Sequence, residues 1–146
     1  MRVIALDASD LKRRLELDTV AYWQLLGIEI HEVYGAGDVS LVVDMREQLA
    51  TRLPDIMHGG AISSLIDSAA GAAVSTIRTD DDATWQGQAT LDLNVTFLRA
   101  AKGRAIARAT VLKSSRSLVF ISVDVKDESD ELLATGRATY TIIRSR

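Results

Sequence analysis

Residues 55–74, DIMHGGAISSLIDSAAGAAV, decide the fold, because they predict a long helix that other elements must cover. From residue 61 to about 77 the segment has no proline, and its many alanines favour a helix. It is apolar on nearly all sides, which is typical of a helix enclosed by protein rather than lying on a surface. Asp67 lies in the middle of this run, where an ionised carboxylate is costly to bury unless it is paired or hydrogen-bonded.

The rest of the chain predicts one further helix and a set of strands. Between residues 9 and about 25, apolar side chains recur at helical spacing. This pattern predicts a helix with Ser9 or Asp10 as the N-cap. The predicted strands are 28–34 and 38–45, which form a hairpin, and then 89–98, 104–113, 117–127 and 132–143. Their short connections favour antiparallel neighbours. We therefore predict an α+β fold, in which one face of an antiparallel sheet packs on a central helix.

The strand predicted at 89–98 alternates strictly between apolar and polar residues. This pattern predicts two faces, one apolar and one polar. The apolar face would carry Leu91, Leu93, Val95 and Phe97, and the polar face Thr90, Asp92, Asn94 and Thr96.

Composition and charge exclude several classes of function. We interpret the 146 residues as a single domain spanning 1–146. They include 17 basic and 20 acidic side chains, and this balance argues against a nucleic-acid partner. There is no cysteine and there are only two histidines, His31 and His58, so we predict no metal site. No stretch approaches the ~20 apolar residues of a membrane span, and no signal peptide is evident. We therefore expect a cytoplasmic protein without a membrane partner.

Taken alone, the residues leave two interpretations of Asp67 open. The carboxylate is a general base or nucleophile, or it is exposed through a gap in the sheet or hydrogen-bonded by Ser63 and Ser64. Gly59 and Gly60 are equally open. Glycines at a helix N-terminus let a substrate approach free N–H groups that stabilise an oxyanion, or they relieve a tight junction.

The spacing of Gly59 and Asp67 carries a further prediction. Eight residues of helix separate them, so they lie about 12 Å apart along the axis. One helix cannot offer both groups to one carbonyl carbon. If they act together, a second copy related by a two-fold axis must supply one of them.

Two phrases give the chain a resemblance to a known family. HGGAISSLID at 58–67, followed by ATLDLNVTFLRAA at 89–101, resembles the hotdog-fold acyl-CoA thioesterases, in the branch typified by phenylacetyl-CoA thioesterases. The likeness runs from about residue 26 to 143, which would make 26–144 the hotdog core. The resemblance implies hydrolysis of an acyl- or aryl-acyl-CoA without a cofactor, because coenzyme A belongs to the substrate. It also implies a homodimer that pairs further into a dimer of dimers.

The resemblance also implies a role for each matching residue. Asp67 activates water or attacks the thioester, and the Gly59 N–H polarises the thioester carbonyl. His58 shapes the site, and Thr90 assists the water. The residues implied in binding the substrate and its coenzyme A are Gly60, Lys113, Arg116 and Ser117.

One position departs from the family pattern. Many members have an asparagine six residues before the histidine, where this chain has Arg52. This departure leaves the substrate preference open. Two alternative functions also remain, a non-catalytic acyl-CoA-binding protein and a hotdog hydratase or dehydratase. The second lacks support in the sequence, because His58 and Asp67 face different ends of a helix rather than one junction between loop and helix.

Overall fold

The computed structural model describes residues 6–146, and the first five residues lie outside this range. Two short helices lead into a sheet of six strands and one long helix. Their bounds are α1 Ala8–Leu17, α2 Ala21–Leu26, β1 Glu29–Gly35, β2 Asp38–Asp44, α3 Gly59–Thr76, β3 Trp85–Phe97, β4 Arg104–Ser114, β5 Leu118–Lys126 and β6 Leu132–Arg144. A turn of 3₁₀ helix, Glu47–Leu49, precedes α3.

The sheet has the order β1-β2-β4-β5-β6-β3, and every neighbouring pair is antiparallel. Its inner face packs on α3, as the sequence and the resemblance predicted. One expectation about neighbours was wrong. The short connection from β3 to β4 joins non-adjacent strands, because β3 pairs with β6 at one edge of the sheet. This connection passes the start of α3, where the Met57 N–H donates to the Ala101 carbonyl at 2.8 Å.

Helix α3 is buried on the side that faces the sheet. Leu65, Ile66, Ala69 and Ala73 are fully buried there, together with Val39, Leu41 and Val123 from the strands. The prediction that the helix is enclosed on nearly all sides was wrong, however. A stripe of side chains at helical spacing is only half-buried on the side that the sheet leaves open; its members are Ser64, Asp67, Ser68, Gly71 and Ser75.

The N-terminal helix predicted at 9–25 is two helices. α1 ends at Leu17, and Asp18 and Val20 both have extended backbone before α2 begins. The β-branched pair Thr19 and Val20 favours such extended backbone over helix. The N-cap is Asp7 rather than Ser9 or Asp10, since its carboxylate accepts a hydrogen bond from the Asp10 N–H at 2.9 Å.

Strand β3 begins earlier than predicted and does not keep a single alternation. A bulge between Thr90 and Asp92 inserts Leu91 without a partner. Before the bulge Thr90 pairs with Tyr140, and after it Leu93 pairs with Ala138. Directly paired residues share a face, so Thr90 and Leu93 both face α3. The predicted division of the strand into one apolar and one polar face was therefore wrong at Thr90 and Leu91, and it holds from Asp92 to Phe97.

Candidate active site

The Asp67 carboxylate is held at one oxygen by two hydroxyl groups. The Thr90 Oγ1 donates to Oδ1 at 2.7 Å, and the Tyr140 hydroxyl lies 2.7 Å from the same atom. The Tyr140 hydroxyl is also 2.7 Å from the main-chain oxygen of Asp67, and its single proton serves one of these two acceptors at a time. Within residues 6–146, no group donates to Oδ2. The carboxylate therefore has one fixed oxygen and one free oxygen.

Within the described residues, neither the Ser63 nor the Ser64 side chain, the two considered as partners, makes a hydrogen bond to the Asp67 carboxylate. Ser64 donates to the Gly60 carbonyl one turn back, at 2.9 Å, and its hydroxyl also bonds Tyr22 at 2.8 Å. The carboxylate thus depends on β3 and β6 rather than on its own helix. The bulge in β3 has a direct role here, because it follows Thr90 and leaves the hydroxyl directed at α3.

Tyr140 is the site residue that sequence reasoning missed. Its signal was present in the last strand, where Ala138, Tyr140 and Ile142 alternate on the buried face. Gly71 leaves room for the Tyr140 ring, because a Cβ at this position would lie only 3.0 Å from the Tyr140 hydroxyl oxygen. A glycine in a helix interior costs about 1 kcal/mol relative to alanine. The close approach of Tyr140 gives the physical reason for this glycine.

Burial raises the pKa of the Tyr140 hydroxyl well above its usual value, and the adjacent Asp67 carboxylate acts in the same direction. Desolvation disfavours the phenolate, and a neighbouring negative charge disfavours it further. Tyr140 is therefore a protonated donor at neutral pH.

The start of α3 presents a free backbone amide. His58 is the N-cap, and its Nδ1 accepts a hydrogen bond from the Gly60 N–H at 2.8 Å. No acceptor in the described part of the chain is bonded to the Gly59 N–H. A Cβ on Gly59 would lie 3.2 Å from the Phe97 ring, so the lack of a side chain keeps the backbone in close contact with that ring. Of the two predicted glycines, Gly59 thus has the amide that remains available to an oxyanion.

One chain does not bring Gly59 and Asp67 together. Both lie on α3, where eight residues of helix separate them by about 12 Å. The residues predicted on α3 and against its middle thus fall into two groups within a chain. Asp67 and Thr90 form one group in the middle of the helix, and His58, Gly59 and Gly60 form the other at its start.

The third group of predicted residues lies at the opposite end of the helix. Lys113 is at the end of β4, and Arg116 and Ser117 form the exposed turn before β5. This turn is fixed through its backbone, since the Ile142 N–H donates to the Ser117 carbonyl and the Arg144 Nε to the Arg116 carbonyl, both at 2.8 Å. The side chains of Lys113 and Arg116 remain exposed.

A cavity of about 650 Å³ opens beside Asp67. It lies between α1 and α2 on one side and the second half of α3 with the start of β3 on the other; Leu15, Trp23, Ala72 and Trp85 form its apolar walls. Asp67 and Tyr140 also line it, so the carboxylate has access to a space large enough for a small acyl group.

The remaining residues singled out in the sequence lie away from this cavity. His31 bonds the buried Ser40 at 3.0 Å in the β1–β2 pair. Arg52 is exposed in the loop before α3, which an isolated bridge between Ala50 and Met57 closes. In the described residues no group of three or more His, Cys, Asp or Glu side chains is placed to hold a metal ion. No helix within 6–146 is long and apolar enough to cross a membrane.

Comparison with known proteins gives consistent results. The model of the thioesterase superfamily matches residues 55–134. A Halobacterium salinarum protein with a provisional esterase name is 31% identical over 94% of this chain and 96% of its own length. The medium/long-chain acyl-CoA thioesterase YigI of Escherichia coli is 29% identical over 60% of this chain and 63% of its own length. The PaaI protein of the Escherichia coli phenylacetic acid degradation operon shares the fold, with a TM-score of 0.76 at 18% identity over 90% of this chain and 91% of its own.

The chain therefore belongs to the thioesterase superfamily, and its antiparallel sheet around α3 is the hotdog fold. The resemblance drawn from the sequence is thereby confirmed. At this level the protein is a hydrolase, and the particular substrate is a separate question.

Proposed function

We propose that the protein hydrolyses acyl-CoA thioesters to the free acid and coenzyme A, with Asp67 as the essential carboxylate. The observation that carries this proposal is the asymmetry of Asp67. Two hydroxyls fix Oδ1, and Oδ2 is free beside a cavity of about 650 Å³. A fixed carboxylate with one free oxygen is suited to accept the proton of an attacking water, or to attack the thioester carbon directly.

The second requirement is a group that stabilises the negative charge on the thioester oxygen. The free Gly59 N–H at the start of α3 has the right chemistry, because the helix dipole adds a partial positive charge to it. In the general-base route, Asp67 takes a proton from the water as the water oxygen bonds to the carbonyl carbon, the carbon–sulphur bond breaks, and the leaving thiolate takes up that proton. In the nucleophilic route, the carboxylate oxygen displaces the thiolate to give a mixed anhydride, which water then hydrolyses to the free acid and the restored carboxylate.

We further propose that two chains share each site, because Gly59 and Asp67 of one chain are about 12 Å apart. The edge of the sheet supports this proposal. Among residues 6–146, β3 is 13 residues long and has a neighbour on one side only, and its exposed residues include Leu91 and Phe97, with 59% and 54% of their surface accessible. A long apolar edge of this kind is a template for pairing with another strand.

A second copy of the chain is the occupant that satisfies both features. Pairing two β3 edges about a two-fold axis would run the two α3 helices antiparallel, with Asp67 of one chain near the start of α3 in the other. The same arrangement would place the exposed turn of Lys113 and Arg116, at the far end of α3, about 14 Å past Asp67 and therefore beyond that start. This supports the assignment of Lys113, Arg116 and Ser117, with Gly60, to binding of the substrate. A further pairing of two dimers follows from the resemblance alone and stays a prediction.

Release of free thiol from a panel of acyl-CoA esters tests the proposal. The wild type should release thiol, and the Asp67→Asn variant should lose about 10²- to 10⁴-fold in kcat, the range typical of a lost general base. Asp81→Asn is the matched control, because it removes an exposed carboxylate from the loop after α3. Equal rates for wild type and a folded Asp67→Asn variant would refute the role of Asp67. Tight binding of the esters without thiol release would instead favour the non-catalytic alternative.

A further inference from the structure

Gln88 is a polar side chain of the cavity that no step of the proposed hydrolysis uses. Its Nε2 donates to the Gly71 carbonyl at 2.7 Å and to the Ser75 hydroxyl oxygen at 2.9 Å. Main-chain carbonyls only accept hydrogen bonds, so the amide nitrogen, and not its oxygen, must face α3. Both amide protons are thereby used on the helix.

The amide oxygen of Gln88 is consequently held in one orientation with its acceptor capacity unused. Within residues 6–146, no group donates a hydrogen bond to Oε1. Gln88 is half-buried and lines the same cavity as Asp67. An acceptor that is fixed by two bonds on its other atom offers a ligand a hydrogen bond at little cost in side-chain ordering.

The position of Gln88 on β3 determines how far its free Oε1 lies from the Asp67 carboxylate, where the reaction would take place. Gln88 and Thr90 pair with Ile142 and Tyr140 without an irregularity between them, so both face α3, about 7 Å apart along β3. On the helix, Gly71 lies one turn beyond Asp67, a rise of about 6 Å. The free acceptor thus lies roughly 6 Å further into the cavity than the carboxylate, a distance spanned by one six-membered ring or a short extended chain.

We propose that Gln88 is a specificity-determining residue, which accepts a hydrogen bond from a hydroxyl on the acyl group at this distance from the thioester. This inference rests on the proposed function and names the class of substrate. An acyl group that ends in a methyl would fill the same space but leave Oε1 cut off from water and without a donor. Leaving a buried acceptor unsatisfied lowers affinity, so the site selects the hydroxylated acyl group.

Two isosteric pairs of substrates test the proposal. One pair is para-hydroxybenzoyl-CoA and para-methylbenzoyl-CoA; the other is a straight acyl chain ending in a hydroxyl and the same chain ending in a methyl. We expect the wild type to prefer the hydroxylated member of at least one pair by about tenfold in kcat/KM, the effect of one neutral hydrogen bond near the upper end of its usual range. The pair with the larger ratio identifies a ring or a chain as the source of the hydroxyl.

The variants separate the acceptor of Gln88 from its contact with α3. Gln88→Met removes both at similar side-chain length, whereas Gln88→Glu keeps acceptor oxygens on the strand and loses the donor to the Gly71 carbonyl. The ratio should fall to about one in Gln88→Met and stay above one in Gln88→Glu. Gln48→Met is the matched control, since Gln48 is exposed on the 3₁₀ turn before α3, does not line the cavity and should leave the ratio unchanged.

Two outcomes would overturn the proposal. One is equal hydrolysis of both members of both pairs by the wild type. The other is a hydroxyl preference that survives in a folded Gln88→Met variant. If the wild type releases thiol neither from these four esters nor from the panel above, the proposed function fails by itself. The affinity ratio of the corresponding ketone analogues, in which a methylene group prevents hydrolysis, then still decides whether Gln88 recognises a hydroxyl.

Discussion

The Tyr140 hydroxyl lies 2.7 Å from Oδ1 of Asp67, although 73 residues separate the two in sequence. The contact joins the last strand to the middle of α3, and it fixes the oxygen of the carboxylate that Thr90 also contacts. Tyr140 touches no reacting atom in the proposed reaction. Its role is to position Asp67, so that the free oxygen faces the cavity.

Replacing Tyr140 with phenylalanine should lower kcat by about 10- to 100-fold, since a hydrogen bond to a charged group contributes about 1.5–3 kcal/mol. The kcat of the folded variant on an acyl-CoA ester measures this loss. Thr90→Ser, which keeps the hydroxyl on β3, is the control and should retain most of the activity. An unchanged kcat for a folded Tyr140→Phe variant would limit Tyr140 to a packing role.

Two inactive variants should restore activity when they are combined, if each site is shared between chains. Asp67→Asn removes the carboxylate, and Gly59→Val adds a side chain whose Cβ would lie 3.2 Å from the Phe97 ring. In a mixed dimer both changes fall in one site, and the other site is intact. Unfolding the two variants together and refolding them should therefore recover up to about a quarter of the wild-type activity. Random pairing makes about half of the dimers mixed, and each mixed dimer has one intact site out of two.

The control for this experiment is each variant refolded alone, which should stay inactive. A mixture as inactive as its components would show that each chain builds its own site. A fully active protein that sediments as a monomer would equally contradict the shared site.

Arg116→Ala should raise KM for acyl-CoA and leave kcat nearly unchanged. Arg116 lies on the exposed turn before β5, where a guanidinium can bind a phosphate of the nucleotide. The defect should shrink for acyl-pantetheine substrates, which lack the nucleotide. Comparing kcat and KM on the two substrate types measures this, with Arg13→Ala on the exposed face of α1 as control. An equal loss on both substrates would exclude recognition of a phosphate by Arg116.

Asp82 and Arg144 should give the fold a contribution to stability that acid removes. The hydrogen bond from Arg144, followed by that from Thr84, lowers the pKa of Asp82 from 3.8 to about 2. A carboxyl group whose pKa is lowered in the folded state stabilises the protein above its unfolded pKa and loses this effect as pH falls through the folded value. The stability advantage of the wild type over Asp82→Asn should therefore be constant above about pH 5 and decline between about pH 4 and pH 2.

Denaturant unfolding at a series of pH values measures this difference. Asp81→Asn is again the control, since Asp81 is the exposed neighbour in the same loop. An advantage over Asp82→Asn that does not change with pH would show that the Arg144 contact does not act through the charge of Asp82.

The sequence by itself determined the elements of the fold and the identity of the family. Helical propensity and the alternation of apolar residues are local properties, so α3 and five of the six strands lay within a few residues of their predicted bounds. The motif from His58 to Asp67 sufficed to identify the hotdog family. The lone carboxylate in an apolar helix also distinguished Asp67 as a candidate for chemistry.

Tertiary structure alone decided which groups surround that carboxylate. Tyr140 and Gln88 lie on β6 and β3, two strands that are distant in sequence and pair with each other. No local sequence pattern shows which of their side chains reach α3. The bulge after Thr90 changes which residues of β3 face α3, and a strict alternation in the sequence conceals it. The half-buried side of α3 likewise depends on the tertiary structure, because the sheet covers only the other side of the helix. Register and sheet order depend on contacts between distant residues, and these contacts fix the surroundings of Asp67.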